Sequence, residues 1–393
     1  MPVILSSGRR GSLLTDPRAR AWIFQILAIA AVVAFGWFLF DNTQTNLQHR
    51  GIHSGFGFLD HPAGFGITQH LIPYTESDTY GRVFLVGLLN TLLVSAVGIV
   101  LATILGFVLG IARLSSNWLI RQLATAYIEI FRNIPPLLQI FFWYFAVIGP
   151  LPGPRDSFSL GGIIFLNNRG VQMPAPSASD AYWPFMLALV VAFALIVIVS
   201  RWAKARRLAT GQPFPVFWSS LALLIAIPGA CVLLFGSPVT WSVPELQRFN
   251  IRGGWVVIPE LVSIVLALTI YTAAFIAETV RSGIQAVSHG QTEAAASLGL
   301  RSGQILRLVI IPQALRVIVP PLTSQYLNLT KNSSLAAAIG YPDLVSLFAG
   351  TVLNQTGQAI ETMAITMSVY LAISLSISLL MNLYNKRIAL VER

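Results

Sequence analysis

Charge is what this chain has least of. Asp, Glu, Lys and Arg make up 10% of its 393 residues, against about 25% in soluble domains, while 55% are hydrophobic and mean hydropathy is +0.71. The shortage excludes a soluble globular protein and predicts an integral membrane one. Cysteine is almost missing as well. The single Cys231 lies in an apolar run, so neither a disulfide framework nor a cysteine metal cluster can form within the chain. It reads as a small buried hydrophobe. Lys and Arg exceed Asp and Glu by 25 to 15, which in a soluble protein would suggest nucleic acid. In an apolar chain the excess serves topology instead, and nucleic acid is not expected as a partner.

Runs of about 20 apolar residues suffice to cross a hydrocarbon core, and the sequence predicts about eight such helices. They cover 21–40, 85–111, 134–148, 183–200, 216–235, 258–277, 313–330 and 363–383. The fold class is therefore all-α and polytopic. The first run has the basic flank of a signal peptide, but it is too long for one and lacks a small-x-small cleavage site, so it reads as an uncleaved anchor. Two long outer segments, 41–82 and 150–182, are rich in Gly, Pro and polar residues, and the sequence predicts loop there.

Cytoplasmic loops retain Lys and Arg. With the N-terminus inside, the inner segments hold 17 of the 25 and the outer ones 7, with Arg316 left at a helix entrance. Both termini are expected in the cytoplasm. So is the stretch GQTEAAASLGLRSGQILRLVII, from Gly290 to Ile311, with Pro312 behind it. Gln291 to Leu298 are strong helix formers, Glu293 suits the positive end of a helix dipole, and Gly299 permits a left-handed turn before a second helix near Ser302. Leu298, Leu300, Ile305, Leu306 and Val309 give this element an apolar side. Gln291, Glu293, Arg301 and Arg307 give it a polar one. From these residues alone it is either a docking surface for a soluble protein or an amphipathic helix lying on the membrane.

Glu293-Ala294-Ala295, Gly299 and Ile311-Pro312 resemble the EAA loop of bacterial ABC importer permeases. IYTAAFIAETVRSGI from Ile270, IIPQALRVIVPPL from Ile310 and LTKNSSL from Leu329 are similar to the polar amino-acid uptake branch. So are GLLNTLLVS from Gly87 and YIEIFRNIPPLLQIFFWYF from Tyr127. The chain differs from that branch in two ways: Asn332-Ser333-Ser334 stands where a Thr-Ser pair is more usual, and residues 149–254 are inserted with two extra spans. With its additional first helix, the layout resembles the general L-amino-acid permease subgroup.

The resemblance implies a type I ABC importer permease core with a cytoplasmic EAA coupling helix, in the bacterial inner membrane. Residues 1–84 would form the tail, first helix and outer loop, 85–148 and 255–393 the two parts of the core, and 284–312 the EAA loop. It also implies a second permease subunit as heterodimer partner, two ABC ATPase subunits, a periplasmic amino-acid-binding protein and surrounding lipid. Glu293, Ala294, Ala295, Gly299 and Pro312 would couple to the ATPase. Nothing in the sequence matches G-x-x-x-x-G-K-[ST], so the chain is not itself an enzyme and holds no cofactor; ATP and Mg would be bound by the partner ATPase.

The substrate path is expected among polar groups inside the core spans. The candidates are Asn90, Thr91, Gln139, Tyr144, Tyr271, Thr272, Asn328 and Lys331, each of which could equally be an interhelical hydrogen bond. Glu278 and Arg281, three apart, read as a structural pair. Arg132, Pro135 and Pro136 read as a helix start with an interfacial anchor, or as a gate or contact to the second subunit. Gly106 and Gly110 form a G-x-x-x-G that favours close helix packing. His49 and His53 have helical i,i+4 spacing, but without cysteine or carboxylate neighbours they and His61 and His70 read as solvated loop residues, and no metal is expected. An ion-coupled secondary transporter is the alternative function. It would need internal repeats and mid-membrane charges, which the sequence does not show.

Overall fold

The computed structural model describes residues 17–49, 55–247 and 250–388. His53 lies outside them, as do Arg9 and Arg10. The helices in chain order are α1 (Pro17–His49), α2 (Tyr80–Arg113), α3 (Trp118–Asn133), α4 (Pro136–Phe141, extended by a π-helical stretch Phe142–Ile148), α5 (Tyr182–Thr210), α6 (Val216–Phe235) and α7 (Pro259–Gln285). They continue with α8 (His289–Ser297), α9 (Ser302–Ile305), α10 (Ile311–Asn332), α11 (Leu353–Thr356) and α12 (Ala359–Ile388).

Seven helices, not eight, are long and apolar enough to cross a membrane among the described residues. The expected span 134–148 is instead a short helix, Pro136–Ile148. Its start is fixed by Pro135 and Pro136, because a residue before proline is driven out of the helical region; Ile134 is extended at ψ 125°. The amphipathic α3 before it went unread. Its first turn is capped by Asn117, whose Oδ1 accepts from the Leu119 and Ile120 N–H groups at 3.0 and 3.3 Å.

The chain divides into two compact units. One comprises Met1–Leu88 and Leu344–Ala372. Its core gathers Phe58, Ile67, Tyr80, Val83 and Val86 around Leu344, Phe348 and Val352, with Phe84 and Phe348 edge to face at 5.5 Å. Of the segment 41–82 expected as loop, residues 41–49, with His49, are helical as the end of α1; among the described residues between α1 and α2 the only helical turn is a 3-10 turn at Phe56–Asp60. Ala63 N–H donates to the Asp78 carbonyl and Gly64 N–H to that of Glu76. Tyr80 Oη donates to Gln355 Oε1 at 2.8 Å, and Tyr74 Oη to the Phe65 carbonyl at 2.7 Å. α1 is apolar all round, and none of its 24-residue apolar stretch is buried.

The other unit comprises Leu89–Asp343 and Ile373–Arg393. α7 is its axis: 61% of its most apolar window is buried, against 6% for α5 and 11% for α6. Leu261, Ile264, Leu268, Ile276 and Val280 of α7 pack with Val94, Ile140, Ile318, Leu322 and Leu329. The predicted G-x-x-x-G is a real contact. A Cβ on Gly106 would lie 2.6 Å from Ile276 Cβ, and one on Gly110 2.7 Å from the Ala277 carbonyl, so only glycine lets α2 lie this close to α7. α10 carries Pro320 and Pro321 in its interior and remains helical through both.

The segment after α4 corrects the loop expectation and departs from a purely helical fold. It holds β1 (Phe158–Leu160), β2 (Ile164–Asn167), β3 (Gly170–Met173) and β4 (Ala175–Ala178), and β5 (Val239–Ser242), β6 (Glu245–Gln247), β7 (Asn250–Arg252) and β8 (Trp255–Val257) follow α6. An antiparallel sheet runs β1-β2-β3-β8, and β4-β5 and β6-β7 form ribbons. Strands of three or four residues are too short for a period of two to stand out from the surrounding Gly and Pro.

Candidate functional site

The polar interruption before α10 is built as two short helices around a left-handed glycine. α8 follows Ser288 and ends in a Schellman turn. Gly299, at φ +77°, donates its N–H to the Ala296 carbonyl at 2.9 Å, and Leu300 donates to that of Ala295 at 3.3 Å. These bonds satisfy carbonyls that the end of a helix leaves open. α9 starts where Arg301 N–H donates to Gln304 Oε1 at 3.0 Å, and a π-helical turn, Leu306–Ile310, carries it into α10. Pro312 falls in the first turn of α10, where a missing N–H is tolerated.

Ala295 and Ile305 are buried, 4% and 6% exposed, and α8 packs against α9 and the π-helical turn that follows it. Of the expected apolar side, Ile305 is buried and Leu300 and Val309 are half-buried, whereas Leu298 and Leu306 are exposed. Leu298 is 82% exposed, beside exposed Glu293, Ala294 and Gly299. Glu293 Oε1 meets His289 Nδ1 at 3.0 Å in an exposed i,i+4 pair, worth a few tenths of a kcal/mol and easily exchanged for another partner. Gln313 Nε2 donates to Gln291 Oε1 at 3.4 Å, tying α8 to the foot of α10. Nearby, Phe107, Ile111, Val280, Ile284, Ile311 and Ile318 line an apolar cavity of about 130 Å³ where α2, α7 and α10 converge.

A charge cluster sits toward the end of α7, ahead of this element. Glu278 is held by Arg281, whose Nε lies 3.1 Å from Oε2, as the spacing predicted. Arg113, the last residue of α2, also donates to Glu278 and lies 3.5 Å from Glu129 of α3. The Arg132 guanidinium stands 5.2 Å above the Phe275 ring. Three helices are joined here. The contribution of Arg113 was not legible, because 165 residues separate it from Glu278.

The eight substrate-path candidates are scattered in role. Asn90, Thr91, Gln139 and Thr272 are buried, Tyr144 and Tyr271 are half-buried, and Asn328 and Lys331 lie exposed on α10. Their hydrogen bonds serve the scaffold. Asn90 Nδ2 donates to the Pro342 carbonyl at 2.8 Å, Gln139 Nε2 to the Phe131 and Ile134 carbonyls at 3.0 and 3.1 Å, and Tyr144 Oη to Glu260 Oε1 at 2.9 Å. Gln139 thereby stitches α3 to α4. Among the described residues, Gln139 Oε1, Trp143 Nε1, Ser263 Oγ and Thr269 Oγ1 are buried with no hydrogen-bond partner. The last three were not singled out, since a lone Ser, Thr or Trp in an apolar helix has no sequence signal of its own.

A family model described as "Binding-protein-dependent transport system inner membrane component" matches residues 98–390. The chain is 63% identical to the putative amino-acid ABC transporter permease protein YhdX of Escherichia coli K12, over 98% of each chain. It is 52% identical to the general L-amino acid transport system permease protein AapQ of Rhizobium johnstonii, over 97% of this chain and 95% of that one. It is 44% identical to the glutamate/glutamine/aspartate/asparagine transport system permease protein BztB of Rhodobacter capsulatus, over 98% and 97%.

Proposed function

The chain belongs to the family of binding-protein-dependent transport system inner membrane components, and from that premise we propose that it is the permease subunit of an ATP-driven importer of L-amino acids. The observation that carries this reading is the exposed helix–glycine–helix element between α7 and α10 in a chain that matches amino-acid permeases over nearly its whole length. No ion-coupled carrier is needed to account for it. The family works with an ATPase and a binding protein, and the chain is a multi-pass component of the inner membrane.

The finer assignments of the proposal build on the site. Both termini and α8 face the cytoplasm, which requires the short apolar helix Pro136–Ile148 to complete a crossing and so make the spans even in number. Glu293, Ala294 and Gly299 meet a groove of the ATPase, where the small Ala294 permits close approach. Ala295, being buried, serves the element's own packing instead. Leu298 inserts its exposed side chain into the same groove. Two ATPase copies bind ATP and Mg and close on hydrolysis cycles; their motion displaces α8, and α10 tilts with it. A second, related permease completes the path, and Asn328 and Lys331, exposed on α10, face it. Asn90, Thr91 and Thr272 line the path on this side, and the buried unpaired atoms of Ser263 and Thr269 offer a polar cargo hydrogen bonds that the apolar surroundings lack. Gln139 and Tyr144 hold the helices in place. A periplasmic amino-acid-binding protein delivers the cargo to the outer segments.

The test is co-purification with an ATPase, followed by uptake of charged, polar and apolar amino acids into proteoliposomes. Uptake that stops when ATP hydrolysis is blocked supports the proposal. Uptake that continues and follows an ion gradient refutes it.

A further inference from the structure

The α5–α6 hairpin stands out by its charge. From Ala181 to Pro244 there is no Asp or Glu, yet Arg201, Lys204, Arg206 and Arg207 fall within seven residues. All four lie near the end of α5. α6 has 20 residues, about 30 Å, which matches a hydrocarbon core. The equivalent apolar part of α5 ends at Ser200. The remaining residues, Arg201 to Thr210, overhang it by about 15 Å, at headgroup depth.

The overhang is ordered. The Arg206 guanidinium lies 5.4 Å from the centroid of the Trp202 ring, and its Nη2 donates to Gln212 Oε1 at 3.3 Å. Trp202 meets Phe214 edge to face at 5.3 Å. Gly211 closes α5 in the left-handed conformation, and Pro213 and Pro215 stiffen the return. With Arg206 thus engaged, Arg201, Lys204 and Arg207 remain exposed at intervals of three, spread over about a third of the helix circumference. Among the described residues, no ion pair includes any of the four. Phe217 and Trp218, exposed at 70% and 68%, place an aromatic belt at the start of α6, as at membrane interfaces.

We infer that this tip is a binding site for anionic phospholipid headgroups, with Arg201, Lys204 and Arg207 contacting phosphate and Trp202, Phe217 and Trp218 seated among the glycerol and upper acyl carbons. Charge complementarity selects the occupant: an apolar hairpin that carries four cations and no acid has the membrane's own anions within reach. The inference goes beyond amino-acid import and rests only on the hairpin crossing the membrane.

Native mass spectrometry of the intact complex, with equimolar phosphatidylglycerol and phosphatidylcholine added in detergent, tests it. Each cation near an anionic surface favours binding by about fivefold, so wild type is expected to retain phosphatidylglycerol over phosphatidylcholine at least fivefold. The triple variant Arg201→Gln, Lys204→Gln, Arg207→Gln should fall to near parity, and the charge-conserving Arg201→Lys, Arg207→Lys should keep the preference. Parity in wild type, or an unchanged preference in the glutamine variant, would overturn the site. So would loss of a protein subunit from the glutamine variant in place of lipid, or displacement of phosphatidylglycerol by millimolar inorganic phosphate. Retention is read from mass whether or not the complex imports amino acids, so a failure of the transport reading is seen separately.

Discussion

Gly299 is the point where the proposed coupling element is most easily perturbed without touching anything else. At φ +77°, an L-residue pays a backbone penalty of about 1–2 kcal/mol, while a Cβ built there meets nothing within 4 Å. Within the chain, the cost of Gly299→Ala is therefore purely conformational. α8 is only nine residues long, too short to hold itself by helix propensity, so it would relieve the strain by unwinding its last turn. A shift of about 1–2 kcal/mol lowers the ratio of intact to unwound bend by about 5- to 30-fold. Reconstituted complexes should lose binding-protein-stimulated ATP hydrolysis by up to that factor, while insertion and thermal stability in detergent stay at wild-type values. Asn visits the left-handed region more readily, so Gly299→Asn should fall between wild type and alanine, and Gly299→Val should be the worst of the uncharged series. Gly299→Asp should abolish coupling, by adding a charge to the contact. Full activity in Gly299→Ala together with a dead Gly299→Asp would refute the argument from the bend and leave only charge repulsion. A Gly299→Ala protein that melts early would refute the claim that the site is empty around it.

Two further substitutions test the scaffold. Gly106→Ala puts a methyl 2.6 Å from Ile276 Cβ and 3.0 Å from the Ala273 carbonyl, and should destabilise by about 1–3 kcal/mol as α2 and α7 separate. The same change at Gly229 of α6, where nothing lies within 4 Å, should leave the melting temperature unchanged or raise it; equal effects at both positions would count against the close-packing account. Burial, followed by the neighbouring Asp78 and Glu76, raises the Tyr74 phenol above its ordinary value of 10.0. Its contribution to stability is thus complete below about pH 10 and is lost as pH rises through the folded-state value. Tyr74→Phe should blunt the alkaline loss of stability in detergent melts, and an unchanged pH profile would dismiss this residue as its source.

The legible parts of the fold were those with long periods of a single kind. α6 begins and ends where its apolar run does, and Gly299 announced its turn because few other residues accept a positive φ. What escaped notice depended on distance along the chain or on brevity. Arg113 gives no hint of Glu278. Strands such as Phe158–Leu160 are shorter than the pattern needed to see them. α3 gives no span-like signal because Arg121, Glu129 and Arg132 leave it without an uninterrupted apolar run. For the coupling element, residue type pointed to helix, turn and helix, but not to which alanine faces out: Ala294 and Ala295 are chemically identical neighbours, and only packing separates them.

From Ser302 through the π-helical turn to Asn332, the backbone follows one helical path without a break. Mechanically it is a rod of 31 residues, about 46 Å long, with its short arm at the exposed element and its long arm in the membrane. A swing of about 10° at one end would carry the other through about 8 Å if the rod were stiff. Pro320 and Pro321 each delete a backbone donor, and so set a compliant joint partway along. How much of a push at α8 reaches the far end is then governed by the bending stiffness of that joint.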